Sequence, residues 1–176
     1  MRIVSGVHRR RQLSSPDHDG IRPTSDRVRE SVFNSLGSLG LVDGARMLDL
    51  FAGTGALGLE ALSRGADHVV FVERDGDALA VLRQNIDTLD EGDYSTVIAG
   101  GAETFVASTR EHFDVALLDP PYRYDEWDEL LQTVPADVVV IESDREIEMP
   151  SGWESLRVKQ YAGTVVGIAR RSPPVD

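Results

Sequence analysis

Four consecutive residues, Asp119-Pro120-Pro121-Tyr122, combine an acid, a rigid turn and an aromatic ring. They follow the apolar run Phe113-Asp114-Val115-Ala116-Leu117-Leu118, which reads as a buried parallel strand. Proline cannot extend a strand, and two in succession stiffen the turn that follows. At a strand's carboxyl end this arrangement can grip a flat ring that bears an amine. The carboxylate and a prolyl carbonyl accept from the exocyclic NH2, and the tyrosine stacks on the ring face. Read alone, the tetrapeptide fits equally well a strand-ending turn with a surface tyrosine.

A second group stands upstream. Met47-Leu48-Asp49-Leu50-Phe51 leads into Ala52-Gly53-Thr54-Gly55-Ala56-Leu57-Gly58. Glycines at a strand-to-helix junction let the backbone pass close to a ligand, and the helix start offers free N–H groups. Twenty residues after Gly53, Glu73 ends the next apolar run, where a carboxylate can take both hydroxyls of a ribose. The pair predicts a nucleoside-containing cofactor. Gly53-x-Gly55-x-x-Gly58 matches the dinucleotide fingerprint, so an NAD(P)-dependent oxidoreductase is one reading. S-adenosylmethionine, with a ribose but no phosphates, is the other. Asp49 favours the second: it can brace the loop or reach an ammonium, whereas it would repel a pyrophosphate. The Asp-Pro-Pro-Tyr turn has no task in hydride transfer, but it fits methyl transfer to a planar amine. Adenine N6 or cytosine N4, in DNA or other RNA, are further acceptors of this class.

Alternating elements must position these groups. Residues 2–4 and 9–13 read as the strands of an N-terminal hairpin, and 14–24 as a loop. Thr24 or Ser25 can cap a helix over 26–36, with Val28, Val32, Phe33 and Leu36 on one face. Strands are expected at 47–51, 69–73, 96–99, 113–118 and 138–142. Helices are expected at 56–64, 75–89, 102–110 and 124–133. Residues 156–160 and 164–169 suggest a closing antiparallel hairpin. Strict alternation predicts a parallel sheet with helices on both faces. In strand order 3-2-1-4-5 the glycine loop and Asp119 end neighbouring strands, at the point where the chain switches direction.

Composition sets the limits. At 176 residues the chain is long enough for one well-cored domain. It has no cysteine, hence no disulfide, thiolate metal site or Cys nucleophile. No apolar stretch reaches membrane-span length and the N-terminus has no secretory h-region, so a cytoplasmic enzyme is expected. His8, His18, His68 and His112 are scattered, and no metal is expected. The net charge of −12 argues against a polyanionic partner, but residues 1–30 hold seven arginines against four acids. Arg9, Arg10, Arg11, Arg22 and Arg27 are candidates for phosphate contacts, with Thr24 among them. Trp127, spaced with Leu130 and Leu131, reads as core packing.

Three blocks carry a resemblance: Ile21–Leu36, Leu48–Ala66 and Asp119–Tyr122. On these the chain resembles the RsmD-type 16S ribosomal RNA guanine-N2 methyltransferases over nearly its whole length. The resemblance implies a Rossmann-like class I methyltransferase fold, α/β, with a seven-stranded, mostly parallel sheet in order 3-2-1-4-5-7-6. It implies a basic N-terminal extension over 1–24, a methyltransferase domain over 25–171 and a flexible tail over 172–176. S-adenosylmethionine would be the donor, and a guanine of 16S rRNA in the small ribosomal subunit the acceptor of a monomeric enzyme. Asp49, Phe51, Ala52, Gly53, Thr54, Gly55, Glu73, Arg74, Ala102 and Glu103 would hold the cofactor, with Glu73 on the ribose. Asp119, Pro120, Pro121 and Tyr122 would be catalytic.

Overall fold

A computed structural model describes residues 1–15 and 25–173. In chain order the elements are α1 (Asp26–Ser38), β1 (Arg46–Asp49), α2 (Ala56–Ser63), β2 (His68–Glu73), α3 (Gly76–Leu89), β3 (Ser95–Ala99), α4 (Ala102–Ser108), β4 (Phe113–Leu118), α5 (Trp127–Thr133), β5 (Ala136–Ser143), β6 (Trp153–Tyr161) and β7 (Thr164–Arg171). They build one seven-stranded sheet, β3-β2-β1-β4-β5-β7-β6, as expected. The first five strands are parallel. β7 runs antiparallel between β5 and β6.

Alternation along each buried strand feeds two cores. Met47, Phe71, Leu117 and Val140 face α1, α2 and α3, together with Val28, Val32, Phe33 and Leu36 of α1. Leu48, Val70, Leu118 and Ile141 face the opposite side, with α4 and α5. Trp127 lies in this second core, as its spacing suggested. Ser25 is the cap of α1, its side chain accepting from Val28 N–H. Gly58 allows α2 to lie on β2: a Cβ there would stand 2.2 Å from the Phe71 ring.

Two expectations need correction. The N-terminal hairpin has no extended strands, only a single antiparallel bridge between Arg2 and Gln12. Ile3 N–H donates to the Arg11 carbonyl, Arg10 N–H to the Ile3 carbonyl and Leu13 N–H to the Met1 carbonyl across its arms, and Val7 N–H ties its tip to the Ser63 carbonyl. The helix expected from Tyr124 begins at Trp127. Tyr124 N–H donates to the Pro121 carbonyl, and the Arg145 guanidinium reaches the carbonyls of Tyr122 and Tyr124. The proline turn therefore extends over the residues that would have made the first helical turn.

The N-terminal segment is part of the body. Ile3 and Leu13 are buried in the first core. Glu60, fully buried on α2, accepts from the backbone N–H groups of Val4 (2.8 Å) and Ser5 (3.0 Å). It also pairs with Arg29 of α1 (3.4 Å) and Arg64 (2.8 Å). Asn85 of α3, equally buried, accepts from Ser14 N–H and donates to the carbonyls of Ser14 and Thr54. Breaking one side of a buried ion pair costs about 3 kcal/mol or more, because the other charge is left without compensation. Glu60→Ala is expected to lose about that much stability in urea titrations, and to make the Arg9–Arg11 stretch cleave faster in trypsin. Unchanged midpoint and cleavage rate would show that Glu60 does not hold the segment.

Candidate active site

The chain leaves β1 towards α2 on one face and leaves β4 towards α5 on the other. A cleft of about 1320 Å³ opens where these exits part. Phe51, Ala52, Gly53 and Thr54 form one wall, with Glu73, Arg74, Ala102 and Glu103 beside them. Asp119, Pro120, Pro121 and Tyr122 form the other. Arg27 of α1 and the β6–β7 turn complete the rim.

The three glycines of the loop serve different ends. Gly53 takes a positive φ of 53°, and a Cβ there would meet nothing within 4 Å. Gly55 has φ 84°, and its Cβ would stand 2.4 Å from Leu82. Gly58 permits the close approach of α2 to β2 described above. Only at Gly53 does the missing side chain leave open space.

Glu73 ties the loop down. One carboxylate oxygen accepts from Gly53 N–H at 2.7 Å, and the other from the N–H groups of Arg74 and Asp75, both at 2.8 Å. A carboxylate has about four acceptor sites, so these bonds leave capacity for further donors. Asp49 lies under the loop rather than on the cleft wall. It is 1% exposed, and its Oδ2 accepts from Gly58 N–H at 2.9 Å. Its Oδ1 has no hydrogen-bond partner among the described residues.

On the opposite wall Pro120 is buried, while Asp119 and Tyr122 are half-buried. The Tyr122 hydroxyl shares a 2.9 Å hydrogen bond with Thr164 Oγ1 at the start of β7. Tyr124 packs edge-on between Phe51, at 5.3 Å, and Trp127, at 5.2 Å. Burial first, and then the charge of Glu103, pushes the Tyr124 hydroxyl well above the usual phenol range.

The arginine candidates divide. Arg27 reaches the cleft. Arg11 instead reaches the Thr88 carbonyl at the end of α3, and the hairpin tip bonds to Ser63 at the end of α2, away from the cleft. Arg9 and Arg10 are exposed at that tip. Arg22 and Thr24 lie outside the described residues. Arg123 and Glu142 also line the cleft, and sequence reasoning passed over both. The signal was present: Arg123 directly follows the tetrapeptide, and Glu142 ends a predicted strand next to that of Asp119.

Burial drives the Asp49 carboxyl up to about 7; the Gly58 N–H pulls against that rise and the charge of Glu73 adds to it. The folded chain thus keeps a proton that the unfolded chain loses near pH 4. Stability from that proton is present below about pH 4 and is lost as pH rises through about 7. Asp49→Asn cannot ionise. In ligand-free urea titrations its stability relative to wild type is expected to rise between about pH 4 and pH 7, then level off. A flat difference would mean that Asp49 ionises normally.

Residues 1–170 match the family model described as conserved hypothetical protein 95. A putative rRNA methyltransferase, YlbH, of Bacillus subtilis is 39% identical, covering 97% of this chain and 99% of its own. Ribosomal RNA small subunit methyltransferase D of Escherichia coli K12 is 38% identical over 94% of this chain and 86% of its own. Among solved structures, the putative methyltransferase yhhF from Escherichia coli superposes with a TM-score of 0.86 at 35% identity, covering 99% of both chains.

Proposed function

The chain belongs to the conserved hypothetical protein 95 family, together with the ribosomal RNA small subunit methyltransferases D, and from that membership we propose that it transfers a methyl group from S-adenosylmethionine to the exocyclic N2 of one guanine in 16S rRNA. The observation that carries the reading is the sharing of one cleft by the glycine loop and the Asp119–Tyr122 turn. The reading extends to a monomer acting in the cytoplasm on an assembled or assembling small subunit.

The residues present fit the cofactor. The open space over Gly53 leaves room for a ligand against the backbone, and Asp49 would brace the loop from beneath through the Gly58 N–H. Glu73, already fixed by three N–H donors, is oriented to accept from ribose hydroxyls. Arg74, Ala102 and Glu103, which line the same wall, would flank the adenine. When bound, the cofactor supplies an electrophilic methyl on a sulfonium.

The acceptor amine is a weak nucleophile, because its lone pair is delocalised into the ring. Asp119 and the Pro120 carbonyl accept its hydrogens, which favours a pyramidal nitrogen and aims the lone pair at the methyl carbon. Bound S-adenosylmethionine would supply the methyl to that lone pair, with the C–S bonding pair left on its sulfur. The amine proton leaves late, to Asp119 or to water. Positioning carries most of the rate gain. Tyr122, held by Thr164, offers its ring to a base swung out of the RNA. Arg27 is placed for a nearby phosphate, and Arg9, Arg10 and Arg11 for a more distant part of the same RNA.

The test is transfer of labelled methyl to small subunits from cells lacking this gene, with naked rRNA and DNA alongside. Label in N2-methylguanine of 16S rRNA is expected; label in DNA alone would overturn the substrate assignment. Asp119→Ala is expected to lose turnover by about a hundredfold while S-adenosylhomocysteine affinity changes less than about threefold. Full activity in that variant would overturn the role given to this acid.

A further inference from the structure

The acceptor wall carries a second carboxylate. Leu118 of β4 and Ile141 of β5 are partners in a parallel register. The residues that follow, Asp119 and Glu142, leave these paired positions on neighbouring strands. Leu117 and Val140, two positions earlier, share the first core, so alternation puts both acids on that same face of the sheet. Both line the cleft, and Glu142 is only 7% exposed.

Two adjacent acceptors select among bases by elementary chemistry. In guanine the N2 amine is flanked by N1–H, a second donor. In adenine the N6 amine is flanked by N1, and in cytosine the N4 amine by N3; both are acceptors. Of the three bases, only guanine offers a donor to a second acceptor standing next to the one that holds the amine. Adenine or cytosine would set a ring lone pair against a buried acceptor oxygen, and a polar group buried against an unmatched partner costs its full desolvation penalty.

We infer that Glu142 is the residue that specifies guanine, accepting from N1–H while Asp119 accepts from N2. The inference rests on the methyl-transfer reading above and deepens it. Asp119 serves any planar amine; Glu142 makes the choice of base.

The test uses small subunits reconstituted with 16S rRNA carrying either guanine or 2-aminopurine at the position that the wild-type enzyme methylates. 2-Aminopurine keeps the amine but presents a bare N1. Wild type is expected to favour guanine by about a hundredfold in kcat/KM, the scale on which one matched base contact discriminates. Glu142→Gln, whose amide can donate to a bare N1, is expected to lose activity on guanine and bring the ratio to within about tenfold, with S-adenosylhomocysteine affinity and melting temperature unchanged. A purely structural role for Glu142 would lower both rates and leave the ratio where it was. If wild type uses the two bases equally, or the variant keeps the wild-type ratio, the Glu142 assignment falls while the methyl-transfer reading stands. If wild type labels no guanine, both fall.

Discussion

The cleft exists because two neighbouring strands must send their chains to opposite faces of one sheet. β1 feeds α2, whose apolar side packs on the first core, and β4 feeds α5, which packs on the second. Neither exit can cross the other without burying unpaired backbone. The gap between them is a consequence of connectivity, and whatever stands at the carboxyl ends of β1, β4 and β5 faces it. The glycine loop and the Asp119–Tyr122 turn thus need no special device to meet. The strand order alone brings them together.

A gap made by diverging loops has soft walls unless something stiffens them. Here the stiffening is polar and close to the backbone. Glu73 pins the glycine loop to the turn after β2, and Asn85 pins the Thr54 carbonyl to α3. Arg145 holds the carbonyls that follow the two prolines, and Thr164 holds the Tyr122 hydroxyl. Each of these groups bonds main chain or a ring terminus rather than filling core volume. Their shared effect is to fix loop geometry in advance of a ligand, which lowers the ordering cost of binding. Asp49 is the exception, a carboxyl buried at some electrostatic cost beneath the loop it braces.

The architecture was legible because its signals are local and repeated. Apolar runs of four to six residues alternate with amphipathic stretches, and glycine, proline and capping residues mark the joins. The Asp119–Tyr122 turn and the glycine loop were legible because their spacing falls at strand ends. What stayed hidden depends on pairs far apart in sequence. Nothing near Glu60 announces that it will accept from Val4 and Ser5, and nothing near Asn85 announces Thr54. The late start of α5 has the same origin. Long-range hydrogen bonds from Glu60, Asn85 and Arg145 override what the local pattern favours. Glu142 was passed over for another reason: its meaning comes from its neighbour in the sheet, not from its neighbours in the chain.

The clamp on the N-terminal segment has a consequence for how the molecule is made. Residues 1–15 are synthesised before their anchors Glu60, Ser63 and Asn85, which come several elements later. At usual elongation speeds the segment waits on the order of ten seconds for the last of them. Through that interval Ile3 and Leu13 have no core to enter, and the arginines around them keep the stretch solvated. The segment therefore closes over α2 and α3 after both have been made, as a late strap on a finished pair of helices.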